Sequence, residues 1–146
     1  MRKFIVFITL LYFNTLSAQI YTETYIKEAN KVAYEWWSKV NTGQYKQSYE
    51  NLSDLLKSRF PLESYSANMS ILIDEIGEIN IRKVKETFFQ SELDGFEDGF
   101  YVTVVYDVEY SKTRNHTETV LLKQDSNMNW KIFDFTYTFQ IIESEE

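Results

Sequence analysis

The apolar residues between positions 22 and 41 recur at intervals of three and four, which predicts an amphipathic helix. The centre of its apolar face is formed by Ile26, Ala29, Ala33, Trp36 and Val40. Trp37 lies on one flank of that face, and Tyr25 and Val32 lie on the other. The apolar sector is therefore about 140° wide, broader than the ~100° of an ordinary surface helix. Such a helix buries both tryptophans only if its partner is curved and wraps around it.

Alternation of apolar and polar side chains predicts a sheet in the second half of the chain. Residues 100–110 alternate strictly, residues 116–124 form a second strand, and residues 130–140 form a third. Residues 125–129 are typical of a hairpin turn between the last two strands. Residues 79–89 are expected to form the edge strand.

The last of these strands changes phase along its length. Its apolar residues occupy two different registers, first Trp130 and Ile132, then Phe135, Tyr137 and Phe139. A β-bulge near Phe133–Asp134 would produce this change, and bulges bend sheets. We therefore expect a curved sheet, which is the partner that the first helix requires.

Shorter helices fill the segment between the first helix and the sheet. One is predicted over Tyr45–Asn51, and another begins at Pro61, whose missing N–H is not needed in a first turn. Gly77 ends this last helix. Three helices followed by four strands predict an α+β fold, in which N-terminal helices pack on one face of a curved four-stranded antiparallel sheet.

The N-terminus is typical of a secretory signal peptide. Two basic residues precede the apolar run Phe4–Phe13, which is too short to span a bilayer. We expect residues 1–18 to be removed by cleavage near Ala18–Gln19. Because the chain has no cysteine, it cannot carry a thioether lipid anchor or a disulfide. We expect a protein free of the membrane, in the periplasm or outside the cell.

The mature chain is expected to form a single domain over residues 19–141, with an acidic tail over residues 142–146. Loss of Arg2 and Lys3 leaves 13 basic and 22 acidic residues, which is a formal charge of −9. Such a surface repels phosphate groups, so nucleic acid and anionic membranes are not expected as partners.

Short motifs across residues 25–138 resemble one exported bacterial family. They are Ala33, Trp36, Gly43, Tyr45, Tyr49, Ile76–Gly77, Arg82, Asp98–Gly99, Glu118–Thr119–Val120 and Trp130. They are similar to the family catalogued as domain of unknown function 4019, within the cone-shaped superfamily named after nuclear transport factor 2, also called cystatin-like. The resemblance implies an α+β cone and export, and that family has no established activity. Where the family tends to Arg and Pro, this chain has Ile73 and Glu75.

Glu118 is the main candidate for chemistry, because its strand-face neighbours Val120 and Leu122 are apolar and direct it toward the rim or the interior of the concave sheet face. The resemblance implies one possible role, since the cone superfamily includes enzymes of the ketosteroid isomerase type. In those enzymes a pocket carboxylate is the base and tyrosines stabilise an oxyanion. The tyrosines that could do so here are Tyr45, Tyr49, Tyr106 and Tyr110. The alternative is a structural ion pair of Glu118 with Arg82 or with another cation near the strand ends.

No metal or cofactor is expected. His116 is the only histidine, no zinc motif surrounds it, and its position beside the predicted turn 112–115 favours a solvated side chain. Residues 92–100 collect four carboxylates around two glycines, but they lack the register of a calcium loop. We expect that segment to be a solvated turn.

The leading hypothesis is a non-enzymatic binding or accessory module, whose unknown partner is a small molecule or a protein. A small apolar ligand would lie between the first helix and the sheet, in a pocket lined by Trp36, Tyr45, Tyr49, Tyr106 and Glu118. Structural roles are expected for Trp37, Gly77, Arg82 and Trp130. Two alternatives stay open. One is an isomerase- or hydrolase-type enzyme with Glu118 as base, and the other is a homodimer through an outer sheet face that exposes Tyr101, Val105 and Leu121.

Overall fold

A computed structural model describes the backbone of residues 2–142 and the side chains of residues 21–142. The predicted signal peptide therefore lies outside the residues whose side chains are described, and residues 143–146 of the predicted tail lie outside the description altogether. Within that stretch, helices precede strands as the sequence predicts. The elements are α1 (Arg2–Asn41), α2 (Tyr45–Tyr49), α3 (Asp54–Arg59), α4 (Leu62–Ile76), β1 (Ile79–Gln90), β2 (Tyr101–Tyr110), β3 (Thr113–Gln124) and β4 (Trp130–Ile141).

The strands form one antiparallel sheet in the order β1-β2-β3-β4, so β1 and β4 are its edges. The predicted bulge is present, because Leu121 pairs with Asp134 while Leu122 pairs with Ile132, which leaves Phe133 as the extra residue. Two more irregularities interrupt the pairing of β1 with β2. Bulges of this kind bend and twist a sheet. The α+β fold with N-terminal helices on a curved sheet is thus confirmed.

The first helix lies across the whole sheet and contacts all four strands. We call the sheet face that packs against the helices the inner face. Trp36 and Trp37 both have no exposed surface, as the wide apolar sector of the helix predicts. Their rings lie 4.5 Å apart, and Phe135 of β4 packs against Trp36 at 4.9 Å. The change of phase in β4 therefore supplies the ring that covers the paired tryptophans.

The sequence analysis missed α3, so the prediction of three helices was wrong. The helix has only six residues, and Leu56 is the one it buries, so it shows no 3.6-residue period. A cap was the available signal, since the Ser53 side chain accepts a hydrogen bond from the Leu56 N–H at 3.3 Å. Just before α3, Leu52 forms an isolated parallel bridge with Ile132, at the edge of the sheet.

The prediction of a solvated His116 was also wrong, because its side chain is only 1% exposed. The turn between β2 and β3 is at residues 111–112, earlier than predicted, and β3 begins at Thr113. An irregularity between Arg114 and Thr117, with Asn115 in the left-handed region at φ +53°, shifts the phase of β3. His116 keeps the phase of Glu118 and Val120 and therefore lies on the inner face, while Thr113 on the other side of the irregularity is buried as well.

The outer sheet face differs from the prediction at Tyr101, which is fully buried. The bulged residue Phe133 contacts the Tyr101 ring at 5.7 Å, and Phe96 from the preceding loop contacts Phe133 at 5.1 Å. Lys123 lies over the rings of Tyr101 and Phe133 and forms an ion pair with Glu97. The loop over residues 91–100 therefore covers part of this face rather than being only a solvated turn.

Candidate functional site

The charged residues of the interior form a closed ion pair. Arg82 lies on β1 and Glu118 on β3, so the arginine side chain reaches across β2. Its Nε donates to Glu118 Oε2 at 2.7 Å, and its Nη2 donates to Oε1 at 3.0 Å. The side chains are 3% and 0% exposed. The structure thus forms the pairing that the sequence left open as an alternative to catalysis.

Tyr110 of β2 completes this network. Arg82 Nη2 donates to the Tyr110 hydroxyl at 2.8 Å, and that hydroxyl donates to Glu118 Oε1 at 2.8 Å. The hydroxyl oxygen also lies 3.1 Å from Asn41 Oδ1 at the end of α1. Burial, followed by the charge of Glu118, raises the pKa of Tyr110. The hydroxyl therefore stays protonated and keeps donating at physiological pH.

Two aromatic rings cover the guanidinium of Arg82. Its Cζ lies 5.2 Å from the Trp37 ring centroid and 5.9 Å from that of Tyr106, both within cation–π range. Tyr106 itself donates to Asn30 Oδ1 of α1 at 2.7 Å. Burial lowers the pKa of Arg82, but the hydrogen bonds and charge of Glu118 outweigh it, so this pKa lies above its usual value. The ion pair is therefore charged and sealed.

His116 lies beside the ion pair without joining it. Its Nε2 is 3.8 Å from Glu118 Oε1 and has no hydrogen-bond partner, while its Nδ1 is 3.2 Å from the Thr113 hydroxyl. The ring stacks on Phe139 at 5.1 Å. Burial, and then the positive charge of Arg82, lowers the pKa of His116 to about 4. At neutral pH the imidazole is therefore uncharged.

This geometry leaves Glu118 without the freedom that a general base requires. Both of its oxygens accept hydrogen bonds from protein groups, and the residue has no exposed surface. A base must lie within hydrogen-bond reach of the proton that it removes. In this arrangement the carboxylate can hold Arg82 and Tyr110 in place, and it offers a substrate no approach.

The five residues predicted to line a pocket do not surround a space. Trp36, Tyr106 and Glu118 have 0% exposure, so no water-sized cavity touches them. Tyr45 and Tyr49 lie on α2 and are half-buried; the Tyr49 ring packs against Tyr65 at 5.4 Å. The volume between α1 and the sheet is filled by side chains of the protein itself.

A second polar link, which sequence reasoning missed, joins α1 to α4. Trp36 Nε1 donates to the Tyr65 hydroxyl at 3.0 Å, and that hydroxyl lies 2.8 Å from Ser48 Oγ. Ser48 in turn donates to the Tyr45 carbonyl at 2.9 Å. The one indole of the pair without a partner is Trp37, whose Nε1 is buried and makes no hydrogen bond. The positions of Ser48 and Tyr65 in the sequence do not indicate that their side chains are in contact.

The remaining residues assigned structural roles lie at element boundaries. Gly77 ends α4 with φ +84°, a backbone conformation that favours glycine, and an added Cβ would collide with the Ser111 side chain. Trp130 opens β4 with 5% exposure, and its Nε1 donates to Glu28 of α1 at 3.4 Å. These contacts hold α4 and β4 against their neighbours.

A cleft with a volume of about 430 Å³ lies between the end of α3, α4 and β4. It is lined by Leu56, Phe60, Asn68, Met69, Ile71, Leu72, Glu75, Asp134, Phe135 and Tyr137. Ile71 is 64% exposed, Phe60 40% and Tyr137 38%. We call these ten residues the α4/β4 cleft. The buried residues of α4 are Tyr65, Met69, Leu72 and Ile76, spaced by three and four, and Ile71 is an apolar residue outside that repeat.

Among the described residues, no group of three or more His, Cys, Asp or Glu side chains is placed to hold a metal ion. The acidic segment at residues 92–100 uses Glu97 to pair with Lys123. No helix within the part of the chain searched is long and apolar enough to cross a membrane.

Comparison with protein families finds one family that matches most of the chain. The family described as "Protein of unknown function (DUF4019)" matches residues 32–135, from α1 through the bulge in β4. Neither the curated proteins nor the solved structures provide a match. Since the match covers well over half of the chain, the protein belongs to the DUF4019 family.

Proposed function

We propose that this protein is an exported, non-enzymatic module that binds another protein through its exterior. The observation that carries the proposal is the contrast between a sealed charged interior and an exposed apolar cleft. Arg82 and Glu118 satisfy each other with no exposed surface on the carboxylate, whereas Ile71 and Tyr137 face solvent. Contiguous exposed apolar surface is typical of interaction sites.

The filled interior favours this function over the two that need an internal pocket. A small apolar ligand between α1 and the sheet would have to displace Trp36 or Trp37, both of which have 0% exposure. An enzyme with Glu118 as base would have to break a bidentate ion pair before substrate could approach. Each change disrupts packing that the fold uses for stability.

The outer sheet face is a weaker candidate for the interaction surface. Tyr101 is covered by Phe133, and Val105 and Leu121 are only half-exposed. Their neighbours on that face are mostly threonines, since Thr117 pairs with Thr138 and Thr119 pairs with Thr136. The α4/β4 cleft exposes larger apolar groups and is the better candidate.

Export is the second part of the proposal. It rests on the basic residues at positions 2 and 3 and on the apolar run Phe4–Phe13. N-terminal sequencing of the protein from its own source should find a chain that begins near Gln19. A chain that begins at Met1 would contradict export by this route. We also propose that the protein is bacterial and belongs to the cone-shaped superfamily, because its order of helices and strands is compatible with that fold.

Native mass spectrometry of the protein from its own source tests the binding function. We expect no small-molecule adduct on the chain, because the interior is full, and a protein–protein complex of discrete mass in gently prepared samples. The same sample under denaturing conditions supplies the control mass of the bare chain. A reproducible small-molecule adduct that disappears on denaturation would overturn the proposal.

A further inference from the structure

The two edges of the sheet are protected to different degrees. In the region that the structure describes, neither β1 nor β4 has a strand on its outer side. An edge strand offers unpaired N–H and C=O groups, and proteins usually blunt it with charges or bulges. β1 has both kinds of protection, namely two irregularities in its pairing and a run of charged residues at Arg82, Lys83, Lys85 and Glu86.

The second half of β4 has less protection, because the one irregularity in its pairing places the extra residue on β3 rather than on β4. From Phe135 to Ile142 the chain has no charged residue, no proline and no glycine. Segments of this composition pair readily with other strands. The first half of β4 is covered, since Ser53 N donates to the Ile132 carbonyl at 2.8 Å and Ile132 N donates to the Asn51 carbonyl at 2.9 Å. Beyond it, the Asp134 carboxylate accepts from the Phe135 N–H at 2.9 Å, and the free edge follows.

The α4/β4 cleft lies beside this free edge, because Phe135 and Tyr137 belong to both. Side chains of a strand added to β4 would point alternately to the two sheet faces, so every second one would meet the cleft. The carboxylates that line the cleft are Glu75 and Asp134, and its lining contains no basic side chain. Burial, and then the charge of Glu75, raises the pKa of Tyr137. The cleft is therefore apolar and negatively flanked.

We propose that the free edge of β4 and the α4/β4 cleft together bind one extended segment of a partner protein by strand addition. The segment carries apolar side chains at alternate positions and Lys or Arg between or beside them. Its backbone pairs with Thr136–Ile141, its apolar side chains enter the cleft, and its cations meet Glu75 and Asp134. This inference rests on the proposed function and names the surface and the partner chemistry.

Charge makes a second copy of this chain a poor occupant. Pairing two β4 edges would bring Asp134 and Glu75 of each copy into one interface, and in the sequence Glu143, Glu145 and Glu146 follow directly. Like charges across an interface oppose association. A basic segment removes that repulsion, and the formal charge of −9 on the mature chain favours its approach.

Synthetic peptides provide the test. The probe is a ten-residue peptide of alternating Val and Lys with blocked ends, titrated into the protein by calorimetry. Two control peptides are a Val–Glu version and a Val–Lys version N-methylated at every residue, which has no backbone N–H donor on either edge. We expect the Val–Lys peptide to bind. The Val–Glu peptide should bind about tenfold more weakly or not at all, and the methylated peptide should lose at least tenfold in affinity. Equal binding of the methylated peptide would overturn strand addition.

Matched variants locate the site. Tyr137→Lys on β4 should weaken binding of the Val–Lys peptide at least tenfold, and Phe88→Lys, on the β1 edge and more exposed than Tyr137, should leave its affinity unchanged. Glu75→Gln should weaken it about two- to fivefold. Ile71→Lys, on the most exposed apolar side chain of the cleft, repeats the test without touching the sheet. Equal effects of the β1 and β4 lysines would overturn the assignment.

The site and the general function fail in different ways. If no peptide binds, or if the β4 and α4 variants have no effect, the site is wrong. Protein–protein complexes seen by native mass spectrometry would then still support a binding module that uses another surface. A bound small molecule in the protein from its own source would overturn the function itself.

Discussion

The two ends of the inner sheet face differ in polarity and in exposure to solvent. Around Arg82 and Glu118 the groups are charged, yet the rings of Trp37 and Tyr106 cover them, and the two side chains are only 3% and 0% exposed. Around Phe135 and Tyr137 the groups are apolar, yet α4 leaves a cleft of about 430 Å³ open beside them. Polarity and exposure are thus reversed relative to the usual distribution of residues.

This reversal separates stability from function. Buried charges that are fully paired hold strands and helices in one arrangement, and their chemistry is inaccessible. Exposed apolar side chains contribute little to the stability of the fold, and a contiguous group of them favours association with a partner that covers them. The region with the more reactive residue types therefore supports the fold, and the chemically inert region is where binding is expected.

The largest expected effect comes from breaking the ion pair in the sealed region. Arg82→Met leaves the Glu118 charge buried and unpaired, and should lower the free energy of unfolding by about 3–5 kcal/mol in urea titrations. The double variant Arg82→Met/Glu118→Gln removes the charge and keeps an acceptor for Tyr110, so it should regain most of that loss. A single variant that loses less than about 1 kcal/mol would mean that water reaches the carboxylate.

Loss of the Tyr65 hydroxyl, which links α1 to α4, should give the next largest effect. Tyr65→Phe leaves the buried Trp36 Nε1 without a partner and should cost about 1–3 kcal/mol. Tyr49→Phe is the matched control, because its half-buried hydroxyl makes only a 3.3 Å contact with the Lys57 carbonyl, and it should cost under about 0.5 kcal/mol. Equal losses would show that α4 is not held through this link.

Acid should reveal how well the sealed region excludes charge. Because burial and Arg82 lower the pKa of His116 to about 4, the unfolded chain takes up a proton first as the pH falls below about 6.5. Stability from this group is complete above pH 6.5 and is lost between pH 6.5 and pH 4, by roughly 1–2 kcal/mol between pH 7 and pH 5. His116→Phe should remove that part of the pH dependence of unfolding. If the His116→Phe variant had the same pH dependence of unfolding as the parent protein, the imidazole would be charged or solvated in the folded protein.

The smallest effect is expected in the open region. Ile71→Ser should change the free energy of unfolding by less than about 0.5 kcal/mol, because the side chain is 64% exposed. Leu72→Ser, one residue along the helix and 4% exposed, is the control and should cost about 2–4 kcal/mol. Similar costs for both would mean that the cleft is closed in solution.

The regular parts of the fold were predictable because their signals are local. The three-four repeat of α1 and the alternation in β2 each extend over ten or more residues. The phase change in β4 even located the bulge at Phe133. The short helix α3 has too few residues to show a period, so only its Ser53 cap could have indicated it.

The candidate site was harder to predict because it depends on contacts distant in sequence. Glu118 was correctly directed inward, and Arg82 was named as its alternative partner, but nothing local shows that the pair is sealed. His116 was expected to be solvated because the turn was predicted at residues 112–115, whereas it lies at residues 111–112 and β3 already begins at Thr113. The α4/β4 cleft depends on the position of α4 relative to β4, and the periodicity of the sequence does not predict that position.

The central claim is that the interior beside Glu118 stays closed while the fold is intact. Trp37 tests it most directly, because its Nε1 is buried yet has no hydrogen bond, so only exclusion of water can slow its exchange. Hydrogen–deuterium exchange of the indole N–H groups, followed by NMR, should find Trp37 exchanging as slowly as global unfolding allows, alongside the hydrogen-bonded Trp36. Fast exchange at Trp37 with slow exchange at Trp36 would show that water enters without unfolding, and would return Glu118 to consideration as an active group.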